Sequence, residues 1–84
     1  MALPRYLDTE GTVLSISYSG VGQAPAVRVF LQRGGGLISL IFQGRSTLEA
    51  LEIGQVVHVS GALVMSDGMP TIYNPNYTIR GYGQ

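Results

Sequence analysis

Arg28, Phe30 and Ile41 form the combination of side chains in this sequence that could bind another molecule. Arg28 and Phe30 are two positions apart, and alternate residues of a β-strand share one face. The apolar residues beside them would occupy the opposite face, so both side chains are predicted to point away from the core. A guanidinium pairs with phosphate and stacks on flat rings, and a phenyl ring offers a stacking surface. A simple solvated face would carry only polar residues, so this mixture indicates a binding surface.

A predicted β-hairpin over residues 26–44 would position these three side chains. A glycine triplet at 34–36 joins its arms, and glycine tolerates the positive φ angles of tight turns. Six apolar residues alternate along the arms and define the inner face: Val27, Val29, Leu31, Ile38, Leu40 and Phe42. The outer face would then place Ile41 across from Arg28 and Phe30.

Three further strands are predicted around this hairpin. The first covers 11–19, where Val13 and Ile16 are three positions apart, which indicates a bulge that lets the strand curl and serve two sheets. The fourth covers 55–65 and the fifth covers 69–79, with a two-residue turn between them at Asp67-Gly68. Asn74-Pro75 interrupts the fifth strand, because proline cannot donate to a sheet.

A short helix is predicted between the third and fourth strands, beginning near Gly44. Ser46 and Glu49 have the spacing of a capping box, and Leu48 and Leu51 would supply one apolar edge. Five strands in so short a chain leave exposed edges unless they close into a barrel. We therefore expect one domain over 1–84, with its core at about 9–80, a short N-terminal arm and a frayed C-terminal tail.

The charges are balanced in number but uneven in position. Five arginines and five acidic residues give a net charge of zero, which is not typical of proteins that coat nucleic acid by bulk charge. Residues 11–48 nevertheless contain Arg28, Arg33 and Arg45 and no acidic residue. Arginine suits phosphate and base stacking, although the lack of lysine is better explained by genome base composition.

Residues that catalyse reactions are sparse. There is no cysteine, and His58, the only histidine, has no partner at a spacing typical of metal ligands. The glycine triplet lacks the Lys-Ser/Thr that follows in a phosphate-binding loop, and Asp67 is explained by its turn. We predict a protein that is not an enzyme and has no metal or cofactor. The sequence also lacks a signal-peptide core and any apolar run of membrane-spanning length, so we expect a cytoplasmic protein.

Three segments, taken in order, resemble the OB-fold nucleic-acid-binding superfamily. They are GLISLIFQGR at 36–45, IGQVVHVSG at 53–61 and NPNYTI at 74–79. The pattern is similar to small actinobacterial OB-fold proteins and to the wedge domain of RecG-type branch-migration helicases. It departs from them at Arg33, where family members often have an acidic residue before the glycine turn. The likeness, over 11–79, implies an all-β, five-stranded Greek-key barrel with one short helix between strands three and four.

The resemblance also implies where a ligand would lie. OB-folds bind single-stranded nucleic acid across strands two and three, between the loops that follow strands one and four. The candidate nucleic-acid-binding residues are Tyr18, Arg28, Phe30, Arg33, Ile41, Gln43, Arg45 and Tyr73. We expect single-stranded DNA, ahead of RNA, as the partner. In the alternative, Phe30 and Ile41 meet a protein partner or a second copy in a docking or oligomerisation module, or the N-terminal arm covers them. A third possibility is a piece of a longer nucleic-acid enzyme.

Overall fold

Alternating apolar residues separated by glycine-rich turns favour strands along most of this chain, and the structure consists of strands joined by turns and loops. The computed structural model describes residues 5–45 and 47–83. Its six strands are β1 (Arg5–Tyr18), β2 (Ala26–Arg33), β3 (Gly36–Gln43), β4 (Gln55–Ser66), β5 (Met69–Tyr73) and β6 (Asn76–Tyr82). The all-β prediction is confirmed.

Five of the strands close into a barrel in the order β1-β2-β3-β5-β4, because β4 pairs back with β1. The β3–β5 pair is parallel and the other pairs are antiparallel. Closure depends on β1, whose first half pairs with β4 and whose second half, from Thr12 onward, pairs with β2. The register shifts between Val13 and Ser15. The predicted bulge is therefore confirmed, and the closed barrel is consistent with an OB-like architecture.

The sixth strand continues the β4–β5 hairpin beyond the barrel. The predicted fifth strand is two strands, and they separate at the predicted interruption: Asn74 has a φ of 52° and Pro75 follows it. The backbone N–H of Asn74 donates to the carbonyl of Ile41 at 2.7 Å, which attaches the kink to β3. β6 then pairs with β4 as far as Tyr82, so the prediction of a frayed tail from Arg80 is wrong.

The prediction of an N-terminal arm outside the barrel is also wrong for the part of it that the structure describes, which begins at Arg5. β1 begins at Arg5, and Arg5 pairs with Leu63 of β4. Polar side chains dominate this half of β1, so the apolar alternation that reveals a strand is weak there, although Leu7 packs against the core. These residues are therefore part of the barrel wall.

The core lies between the inner faces of the strands. All six inner residues of the β2–β3 hairpin are no more than 3% exposed, which confirms the predicted alternation. Val57, Val59 and Ile72 complete the same cluster from β4 and β5. Phe42 meets the ring of Tyr77 edge-on, with 5.5 Å between ring centroids, so β6 is packed against the barrel as well.

The predicted helix between β3 and β4 is wrong. The described residues from Gly44 to Gly54 form turns and irregular backbone, and the proposed cap, Ser46, lies outside the described residues. Ala50 has a φ of 61°, which a right-handed helix does not allow. Leu48 and Leu51 are nevertheless buried in the core cluster, so the segment packs against the barrel without helical structure. Within the described residues, no helix is long and apolar enough to span a membrane.

Candidate nucleic-acid interface

The strand register places the central candidate residues in two adjacent rows on the outside of the barrel. One row runs across β1, β2, β3 and β5 through Ser17, Arg28, Ile41 and Tyr73. The adjacent row runs through Ser15, Phe30, Ser39 and Thr71. We call the surface formed by Arg28, Phe30, Ile41 and Tyr73 the outer platform. Its four side chains come from three neighbouring strands of a closed sheet, which gives them a rigid support.

The side chains of the outer platform remain accessible. Arg28 is exposed, Phe30 and Ile41 are half-buried, and Tyr73 is 42% exposed. The guanidinium carbon of Arg28 lies 5.9 Å from the centroid of the Phe30 ring, within the range of a cation–π contact. This contact orients the two side chains together, so they present a flat cation beside an aromatic ring.

Two grooves flank the platform, and both are lined by Arg28 and Phe30. The larger, of about 370 Å³, lies toward the β1–β2 loop and includes Tyr18 and Gln23. The smaller, of about 140 Å³, lies toward the β4–β5 turn and includes Asp67. The outer platform is thus bounded by the loops that follow β1 and β4.

Local hydrogen bonds and turn geometry fix these two boundaries. In the β1–β2 loop, the backbone N–H of Gly20 donates to Oε1 of Gln23 at 2.9 Å, and Ser19 N–H donates to the carbonyl of Ala26 at 3.0 Å. In the β4–β5 turn, Asp67 and Gly68 have φ angles of 52° and 75°. Two consecutive positive φ angles are typical of a tight two-residue hairpin, so the predicted turn is confirmed.

The other candidate residues have different surroundings. Gln43 is held by Asn74: its backbone N–H donates to Asn74 Oδ1 at 2.8 Å, and Asn74 Nδ2 donates to Gln43 Oε1 at 3.2 Å. Arg33 lies at the β2–β3 turn, where its Nε donates to Thr9 Oγ1 at 2.7 Å. Arg45 is exposed in the turn after β3. Neither Arg33 nor Arg45 lines the two platform grooves.

Several polar residues at the platform were not predicted from the sequence. Ser39 and Thr71 lie beside Phe30 in the second row, where they are 4% and 1% exposed, and Gln23 and Ser66 line the grooves. Small polar residues carry no signal of their own until the strand register is known. The sequence explains Asp67 by its turn alone, although the same Asp-Gly turn also places its carboxylate at the end of β4.

Comparison with known proteins found no matching family model and no matching curated protein. Function is therefore inferred from the geometry of the outer platform and its two boundaries.

A second polar cluster lies on the outer surface of β1, β4 and β6. His58 Nε2 donates to Asp8 Oδ1, and Arg80 Nη2 donates to His58 Nδ1 at 3.2 Å. Arg80 Nε also lies 3.4 Å from Glu10 Oε2. These contacts use both ring nitrogens of His58 and connect three strands. Among the described residues, no group of three or more His, Cys, Asp or Glu side chains has the arrangement of a metal site.

Proposed function

We propose that this protein is a non-enzymatic OB-fold module that binds single-stranded nucleic acid across β2 and β3, DNA more readily than RNA. The strand order, with parallel β3 and β5 and with β4 closing on β1, supports this assignment. The observation that carries the proposal is the Arg28–Phe30 pair, which lies between two grooves bounded by the β1–β2 loop and the β4–β5 turn.

The side chains of the outer platform suit the stacking of any base and do not distinguish one base sequence from another. A base would stack on Phe30, with Ile41 and Tyr73 beside it, and each stacked base contributes about 1–3 kcal/mol. Arg28 would meet the adjacent phosphate or extend the stack. Stacking is tolerant of sequence because every base has a flat face, so we expect little sequence preference.

The salt dependence of binding should report how many arginines take part. For a single strand, the slope of log K against log salt is about −0.7 per phosphate neutralised. Arg28 is the one arginine in the two grooves, so a fluorescent oligothymidine measured by anisotropy should give a slope of about −0.7. A slope of about −2 would indicate three phosphate contacts and would mean that Arg33 and Arg45 also take part in binding. No binding at tens of micromolar protein in low salt would reject the proposal, and a matched oligouridine tests the preference for DNA.

Removing the carboxylate of Asp67 should strengthen binding. Asp67 lines the smaller groove with Arg28 and Phe30, where it would repel a phosphate. We expect Asp67→Asn to tighten oligonucleotide binding by about two- to fivefold at low salt. Asparagine tolerates the same positive φ, so the turn is preserved. Glu52→Gln removes an equal charge outside both grooves and should leave the affinity unchanged; equal gains from both variants would mean that only net charge matters.

The alternative is a docking or oligomerisation module that uses the same surface. The net charge of zero and the apolar side chains of Ile41 and Tyr73 favour this second candidate. Sedimentation velocity over a range of protein concentrations separates the two functions. A dimer that oligonucleotide does not dissociate, and that Phe30→Ala does dissociate, would support the alternative.

A further inference from the structure

The start of β3 borders a pocket that the outer platform does not use. This mouth pocket has a volume of about 390 Å³ and lies beside the β2–β3 turn. Its lining residues include Arg5, Leu7, Arg33, Leu37, Ile38 and Leu63. None of its residues lines either platform groove. It lies toward the opposite end of β3 from the segment that carries Leu48 and Leu51.

The rim of the mouth pocket is positively charged. Arg5 and Arg33 both line it, and none of the described lining residues is acidic. The ion pairs within the described residues involve His58 and Arg80, so neither rim arginine is neutralised by a carboxylate. Arg33 uses its Nε to hold Thr9, which leaves four of its five N–H donors for other partners.

The rest of the pocket is apolar. Ile38, only 3% exposed, belongs to the hydrophobic core, and Leu7 and Leu63 pack against that core. Leu37 and Tyr6, at the edge, are 40% and 69% exposed. Pockets for small molecules start at about 300 Å³ and combine an apolar lining with a few polar groups, so this pocket is large enough for a small ligand.

We propose that the mouth pocket binds a small organic anion, with its carboxylate or phosphate between Arg5 and Arg33 and its apolar body against Leu37 and Ile38. Two guanidiniums favour an anionic head because they can form charge-assisted, bidentate hydrogen bonds. The apolar lining requires a hydrophobic body, so an inorganic ion alone would leave most of the pocket unfilled. The proposal does not depend on nucleic-acid binding at the outer platform.

Backbone amide NMR shifts test this site with three probes: octanoate, adenosine 5′-monophosphate and inorganic phosphate. We expect one or both organic anions to cause saturable shifts at Arg5, Leu37 and Ile38, and octanoate to cause none at Arg28 or Phe30; shifts at Arg28 and Phe30 with the nucleotide would report on the outer platform, not on this pocket. Saturable shifts with octanoate alone would indicate a fatty-acid-like ligand, and saturable shifts with adenosine 5′-monophosphate alone would indicate a phosphate-bearing ligand such as a nucleotide. Inorganic phosphate should not saturate the site. The proposal is overturned if neither organic anion gives saturable shifts at the pocket, or if phosphate alone binds as tightly.

A charge-removing variant at the rim completes the test. Arg5→Gln should weaken binding of the active probe by about tenfold, because it removes a charge-assisted contact. Arg80→Gln removes a charge from a half-exposed side chain of β6 that lines neither this pocket nor the platform grooves, and it should bind the probe as the wild type does. If Arg5→Gln is folded by circular dichroism and binds the probe with unchanged affinity, the proposal of an anion site in this pocket is rejected. Oligonucleotide affinity, measured on the same variants, reports separately on the proposed function.

Discussion

Replacing Phe30 with alanine should weaken the binding of a single-stranded oligonucleotide by about five- to 150-fold while the barrel remains folded. Loss of one stacking ring removes about 1–3 kcal/mol per base, which corresponds to that range. Arg28 would also lose the ring that orients its guanidinium. Phe30 lies on the outer face and is only half-buried, so the inner core is left in place. Fluorescence anisotropy gives the affinity, and a thermal melt reports whether the fold survives.

Phe30→Leu is the matched variant for this experiment. Leucine keeps an apolar side chain at the same position but has no aromatic face and no cation–π contact with Arg28. If the ring itself matters, Phe30→Leu should lose most of the affinity that Phe30→Ala loses. Wild-type affinity in both variants would contradict a stacking role for Phe30. Retained affinity in Phe30→Leu alone would show that hydrophobic contact suffices.

The largest effect on stability is expected at Gly61, in β4. A Cβ added there would lie 2.5 Å from Cγ2 of Ile72, which is fully buried in the core. Ile72 cannot move without disturbing its neighbours, so Gly61→Ala should lower the free energy of unfolding by about 1–3 kcal/mol. Gly61 lies within the predicted fourth strand, 55–65, and a glycine inside a strand often marks a close approach of this kind. Chemical denaturation monitored by circular dichroism measures the change.

Gly35→Ala is the control for Gly61→Ala. Gly35 lies in the β2–β3 turn, and an added Cβ there would have nothing within 4 Å. We expect its free energy of unfolding to stay close to that of the wild type. Equal destabilisation by the two substitutions would point to a general cost of replacing glycine and would remove the packing explanation.

The parts of the fold that the sequence predicted correctly are those where one face of a strand is buried. Val27, Val29 and Leu31 alternate with polar or half-buried residues, and that period reports the inner face directly. The same period placed Arg28 and Phe30 together on the outside. The offset between Val13 and Ile16 likewise revealed the bulge in β1, because a bulge changes which face each residue occupies.

The errors have physical causes as well. The spacing of Ser46 and Glu49 satisfies a capping box, but sequence spacing does not reveal that Ala50 adopts a positive φ. Most of β6 is exposed or half-buried, so its pairing with β4 leaves little apolar pattern. Arg33 is predicted at the end of the hairpin, and the sequence does not reveal which groove or pocket it lines. In the barrel it turns toward the pocket at the start of β3.

The double role of β1 has a consequence for how the protein is made. β1 is synthesised before the other five described strands, so Arg5 has no partner until Leu63 of β4 has been synthesised. Until then one edge of the nascent strand has no partner and could join another chain instead. Pairing of Arg5 with Leu63 joins residues far apart in the chain, so ring closure is a high-contact-order event, which is slow for the size of the domain. The barrel therefore closes only after β4 has been synthesised, and until then early β1 is the segment most exposed to pairing with the wrong strand.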